Sequence, residues 1–179
     1  MANTDRQPEP ALTTATPAEA DGSDQGGPDP GGAAPTWWQP PEAVALDQFF
    51  DADTLFQLRS AVAAHGGRLG LNGHRLSDLV LVAHELASNA VRHGGATVAE
   101  PGRLRLWRAD HTVICQVSDG GPGLVDANRA GLSSVPVAAT NGRGLWIIRQ
   151  VVAQLHIHTG PDGSTLTAAL PLVPANAVD

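Results

Sequence analysis

Two stretches of alternating character most constrain what this chain can become: RLRLWRA, residues 103–109, and TVICQVS, residues 112–118. Strand side chains point to opposite faces with a period of two, and so short a connection makes two such runs pair antiparallel. A second pair follows in LHIHTGPDGSTLTAALP, where a Gly-Pro-Asp-Gly turn separates two further strands. The first hairpin also sets a chemical problem. Val113, Cys115, Val117 and Asp119 share a parity, so the carboxylate of Asp119 points to the apolar side of the sheet. An ionised carboxylate there is costly unless it accepts hydrogen bonds, and a bound donor is one way to supply them.

Helical periods fill the rest. VALDQFF reads as a first strand, and DADTLFQLRSAVAAHGG as a helix opened by an Asp cap, with Leu55, Leu58 and Val62 on one face and glycines at its end. After a short turn a second helix begins with Ser77 and Asp78 as caps and carries Leu79, Ala83, Leu86 and Ala90 as an apolar stripe. In its segment ELASNAVRHGG, Glu85, Asn89 and His93 recur every four residues and stack on one helix face. Glu85 and Asn89 lie beside the apolar stripe, at the edge of the core. The stretch from Leu124 to Thr140 has no period and reads as a mobile loop. It leads into NGRGLWIIRQVVAQL, a third helix with Leu145, Ile148 and Val152 on one side.

Composition excludes several classes. The chain has 179 residues, 42% hydrophobic and 16% charged, which suits one globular domain with some unstructured sequence. Residues 1–36 are rich in Pro, Gly, Ala, Thr and acidic groups and cannot offset the entropy of ordering, so they read as a disordered acidic tail. Residues 37–43 form a linker in which Trp37 and Trp38 either pin the chain to the folded domain or dock a partner; residues 44–173 are the domain and 174–179 a second tail. No run approaches the length of a membrane span and MANTDRQPEP lacks a signal-sequence pattern, so the expected location is cytoplasmic. The single cysteine, Cys115, reads as a buried strand residue. A net charge of −7 without a basic cluster argues against nucleic acid as a direct partner.

All 11 basic residues are arginine. The lysine of the phosphate-binding loop G-x-x-x-x-G-K-[ST] and the strand lysine of ordinary protein kinases are therefore both missing. A glycine-rich loop opening a helix binds phosphate without lysine, through free N–H groups and the positive end of the helix dipole. Gly142 and Gly144 stand at such a position.

Taken in order, ELASNAVRHG, DGGPG, GRGL and the final GST resemble the N box, the adenine-side D-x-G-x-G box, the G-x-G-L box and the terminal Gly-x-Thr of the GHKL (Bergerat-fold) ATPase and kinase superfamily. The short stand-alone form most resembles the anti-sigma-factor serine/threonine kinases. The resemblance covers about Val44 to Pro171. It implies an α/β two-layer sandwich, a mixed and mainly antiparallel sheet with about three helices on one face and ATP between the layers.

It also implies roles. Asn89 is assigned to a Mg²⁺ ion bridging the nucleotide phosphates, and Glu85 to the general base that polarises the attacking hydroxyl. Asp119 accepts from the adenine amino group, with Thr165 adding a hydroxyl near the base and Gly121 and Gly123 shaping the turn. Gly142, Arg143, Gly144 and Leu145 hold phosphates, under a lid of Leu124 to Thr140. Simpler readings stand beside these. Glu85 and Asn89 in isolation read as a solvated helix edge, and the glycines as turn formers. His93 either lines the phosphate site or simply favours the helix C-terminus, and Arg143 either touches phosphate or is an exposed loop residue. His84 and Arg92 read as surface residues.

The implied function is ATP binding with Mg²⁺, capture of a sigma factor and phosphorylation of an antagonist protein. The alternative is a nucleotide-dependent sequestering module that transfers nothing, although retention of Glu85 favours the kinase. A homodimer is implied by the resemblance alone. A sensor histidine kinase would need a phosphoacceptor histidine upstream, yet the first histidine is His65. The gyrase, MutL and chaperone-type ATPases need a second domain with a lysine or arginine for the γ-phosphate.

Overall fold

The computed structural model describes residues 38–97, 99–124, 131–132 and 143–172. The expected tails, Trp37, Gly142 and most of the expected lid lie outside them. Five strands and three helices follow in the order β1 (Leu46–Phe50), α1 (Leu55–Arg68), α2 (Gly73–Arg92), β2 (Gly102–Ala109), β3 (Thr112–Asp119), α3 (Arg143–Val151), β4 (Gln154–Gly160) and β5 (Gly163–Pro171).

The strands form one open sheet in the order β1-β2-β3-β5-β4. Every pairing among them is antiparallel, so the sheet is not mixed. Both expected hairpins form, with Arg103 opposite Ser118 in the first and Thr159 opposite Ser164 in the second. The register brings Asp119 opposite Ser164, which joins the two hairpins at one end of the sheet.

One face of the sheet is covered by helices. Leu104, Leu106, Val113, Cys115, Val117, Leu166, Ala168 and Leu170 meet Leu58 and Val62 of α1, Leu79, Leu86 and Ala90 of α2, and Ile148 of α3 in a single buried core. The α2 stripe is thus buried as its period requires. The opposite face carries a smaller cluster of Trp107, Ile114 and Ala169, against which Trp38 and Val44 pack. Trp38 also lies 5.8 Å, centroid to centroid, from His156 on β4, so it does pin the linker to the sheet.

The helix ends differ in detail from the sequence expectation. The N-cap of α1 is Thr54, not an aspartate, and its side chain makes no capping bond; Asp51 closes the turn just before it, its Oδ1 accepting from the backbone N–H groups of Asp53 and Thr54 while Thr54 Oγ1 accepts from the Asp51 N–H. This reciprocal pairing resembles a capping box. Helix α1 also continues through its glycines to Arg68, because Gly66 packs directly on Leu79 of α2. Ser77 and Asp78 do not cap α2, which starts a turn earlier with Asn72 as its extended N-cap. The reason is packing: Leu76, ahead of both, already lies against the core and draws the first turn into helix. Among the described residues no helix is long and apolar enough to cross a membrane.

Candidate functional site

The last two turns of α2, the end of β3 and the first turn of α3 converge. Leu86 and Ala90 fix the rotation of α2 by entering the core, which leaves Glu85 and Asn89 half-buried at the edge of the stripe. Leu145 and Ile148 dock α3 beside them. The contact between the helices is at Gly144. A β-carbon there would stand 2.7 Å from Glu85 Oε2 and 3.5 to 3.6 Å from the carboxamide atoms of Asn89. Glycine is what permits α3 to begin against these two polar side chains.

At the end of β3 the carboxylate of Asp119 is partly buried. Burial pushes its pKa above the usual carboxylate value, opposed by the backbone N–H groups of Gly121 and Ser164. The Gly121 N–H donates to Asp119 Oδ1 at 3.1 Å. Gly121 packs on the backbone of Gly94, and the carboxylate itself rests on Gly94, which follows the end of α2. Gly123 takes φ +84 beside Thr159, whose Oγ1 accepts the Leu124 N–H at 2.7 Å and lies 3.1 Å from Ser164 Oγ.

The structure brings together Glu85, Asn89, Arg143, Gly144 and Leu145 at one end, and Asp119, Gly121 and Gly123 at the other. Leu145 is buried in the core, so only its backbone is available to a ligand. His93 is the exposed C-cap of α2, its N–H donating to the Asn89 carbonyl at 2.8 Å. Thr165 is not brought to the site. It pairs with Ser118, one residue out of phase with Asp119, and therefore projects from the face away from α2. The hydroxyl on the Asp119 side is that of Ser164, buried and opposite Asp119. Parity counting from Asp119 across the β3–β5 register was the signal for it, but that register is a tertiary fact. Gly94 was also missed, although it closes the motif ELASNAVRHG. His84, expected at the surface, is half-buried, and its Nδ1 makes no hydrogen bond among the described residues.

Among the described residues no group of three or more His, Cys, Asp or Glu side chains gathers as a metal cage. The oxygens of Glu85 and Asn89 flank a space that a β-carbon on Gly144 would fill. A hard cation that takes its remaining ligands from phosphate and water suits such a sparse oxygen set.

Residues 50–170 match the histidine kinase-like ATPase domain, and the chain belongs to that family. The protein is therefore an ATPase-domain chain of the GHKL type, related to kinases. A signal transduction histidine-protein kinase of Streptomyces coelicolor, AfsQ2, is 32% identical over an alignment of 133 positions that covers 65% of this chain and 23% of that protein. The chain thus spans about a quarter of the curated relative it matches. The solved RsbU and RsbW domains of Rv1364c from Mycobacterium tuberculosis share the fold, at 22% identity and a TM-score of 0.51 over 75% of this chain and 34% of that one. A blue-light activated histidine kinase of Erythrobacter litoralis aligns at 15% identity and a TM-score of 0.49, over 69% of this chain and 47% of that one.

Proposed function

We propose that this chain binds ATP with Mg²⁺ and acts as a regulatory serine/threonine protein kinase that captures a sigma factor and phosphorylates an antagonist protein. The observation that carries the reading is the meeting of Glu85 and Asn89 at Gly144, where a carboxylate and a carboxamide face the first turn of a helix. The resemblance of ELASNAVRHG, DGGPG and GRGL to the anti-sigma kinases supplies the choice of serine or threonine.

Each group has a task its chemistry suits. Asp119 accepts the adenine amino group, a donor that offsets the burial of its carboxylate. The first turn of α3 presents the positive end of its helix dipole and receives phosphate oxygens. Asn89 and the phosphates would hold Mg²⁺, which when bound screens the charge of the triphosphate. Glu85 takes the proton from the attacking hydroxyl as that oxygen bonds to the γ-phosphorus, and ADP departs with the electrons of the broken bond.

Calorimetric titration with ATP and Mg²⁺ tests the first half. Wild type binds, and Asp119→Asn binds about tenfold or more weakly, because a hydrogen bond to a charged acceptor is lost. A folded wild type that ignores ATP would sink the proposal. For the second half, Glu85→Ala retains binding and loses phosphoryl transfer. A phosphoester on serine or threonine survives acid, whereas a phosphohistidine does not, so the acid stability of the product decides between them. Tight ATP binding with no transfer to any cognate antagonist favours the sequestering module instead.

A further inference from the structure

Three glycines pack around the end of β3 that bears Asp119, and they differ in what a side chain would strike. A β-carbon on Gly163 would meet the Asp119 backbone carbonyl, and one on Gly121 the backbone of Gly94. Those two glycines are demanded by the chain path. At Gly94 the three nearest atoms are all in the Asp119 carboxyl group: Cγ, Oδ1 and Oδ2. No backbone atom is among them. Gly94 is also absent from the glycines with positive φ, so its backbone accepts a β-carbon.

We infer that Gly94 is a positioning residue for nucleotide base selection: by carrying no side chain, it lets the Asp119 carboxylate lie against the end of α2, where it meets the base. The inference rests on the reading that Asp119 accepts the adenine amino group. Its physical content is separable from that reading. The neighbour that must yield to a methyl group is a side-chain carboxyl held by the Gly121 N–H, not backbone, so Gly94→Ala displaces the carboxylate from that hydrogen bond while the chain path is kept. Gly94 N–H and His93 N–H both donate to the Asn89 carbonyl, at 3.4 and 2.8 Å. The wall behind Asp119 is therefore built on the residue that faces the phosphates, and base and phosphate ends are held by one helix terminus.

Gly120 is the control. It adjoins Asp119, and a β-carbon there meets nothing within 4 Å. Binding of ATP and of inosine triphosphate, which lacks the 6-amino group, is measured by calorimetry for the full chain and for Gly94→Ala, Gly120→Ala, Asp119→Ala and the Gly94→Ala/Asp119→Ala double variant. The expected result is that Gly94→Ala weakens ATP about tenfold or more, leaves inosine triphosphate unchanged, and has no effect once Asp119 is alanine. Gly120→Ala binds ATP as wild type does. Gly94→Ala that binds ATP like wild type overturns the inference, as does an equal loss for both nucleotides with and without the Asp119 carboxylate. Should Gly94→Ala fail to fold, the double variant must recover the wild-type melting temperature, since the obstructing carboxylate is gone; an unfolded double variant refutes the steric coupling. A wild type that binds neither nucleotide removes the functional reading, while the melting temperatures still judge the contact.

Discussion

At the scale of single residues, Asp119 and Cys115 show how one strand parity produces opposite chemistry. Both face the helices from β3. Cys115 is fully enclosed, and burial pushes its thiol up to about 12. A thiol-specific reagent at neutral pH should leave native protein unlabelled and label it only after denaturation. Asp119 sits at the strand end, only partly buried, where Gly121 N–H reaches it. Its raised pKa means that the folded state holds this proton more tightly than the unfolded chain. The resulting stabilisation is complete below the ordinary value of 3.8 and is lost as pH rises through the folded value. Asp51 and Asp47 titrate in the opposite sense, Asp51 through its hydrogen bonds from Thr54 and Asp47 through its ion pair with Arg103. The informative quantity is therefore a difference. Unfolding free energies of wild type and Asp119→Asn, followed upward from about pH 3.8, should shift progressively in favour of the asparagine variant. A constant difference would contradict the burial of this carboxylate.

Among the elements, α3 is the most dependent on its neighbours. Nine residues are too few to hold a helix in water, so its place rests on packing. Ile148 is completely buried, and Ile148→Ala should cost about 2–5 kcal/mol in chemical denaturation and weaken ATP binding by loosening the turn that follows Gly144. The same truncation at Leu86 in α2 should cost about as much. Gly144→Ala tests the opposite combination. Its new methyl group would press on Glu85 Oε2, the mobile end of a side chain, so stability should change by less than about 1 kcal/mol while phosphoryl transfer falls. If transfer were unaffected, Glu85 could not be the base in the position described. These helices were legible from their periods, because three or four apolar residues per two turns leave few alternatives. Their starts were less so. The sequence offered Ser77 and Asp78 as caps, and the packing of Leu76 overruled them.

Over the whole molecule, the sheet has two differently used faces. The helical face is a continuous core, while the other buries Trp107, Ile114 and Ala169 under Trp38 and Val44. On that second face Gln116 and Thr167 are buried but satisfied. Gln116 Nε2 donates to Thr167 Oγ1 at 3.0 Å, and Arg105 donates to Gln116 Oε1 at 2.6 Å. Trp38→Ala should lower the unfolding free energy by roughly 1–2 kcal/mol, as expected for a partly buried apolar side chain, without changing affinity for ATP. A change in affinity would mean that the linker reaches the nucleotide site.

By itself the sequence determined the antiparallel hairpins, the three amphipathic helices and the order of the glycine-bearing segments, because these depend on local periods and turn chemistry. It also isolated Asp119 as a carboxylate in need of a donor. Only the tertiary structure decided that Glu85 and Asn89 meet Gly144, that Gly94 backs Asp119, and that Ser164 rather than Thr165 shares its face. The reason is register. A strand slipped by one residue presents the other set of side chains, and which residues stand opposite one another is settled by pairing across 45 positions, from Asp119 to Ser164, that no local pattern reaches.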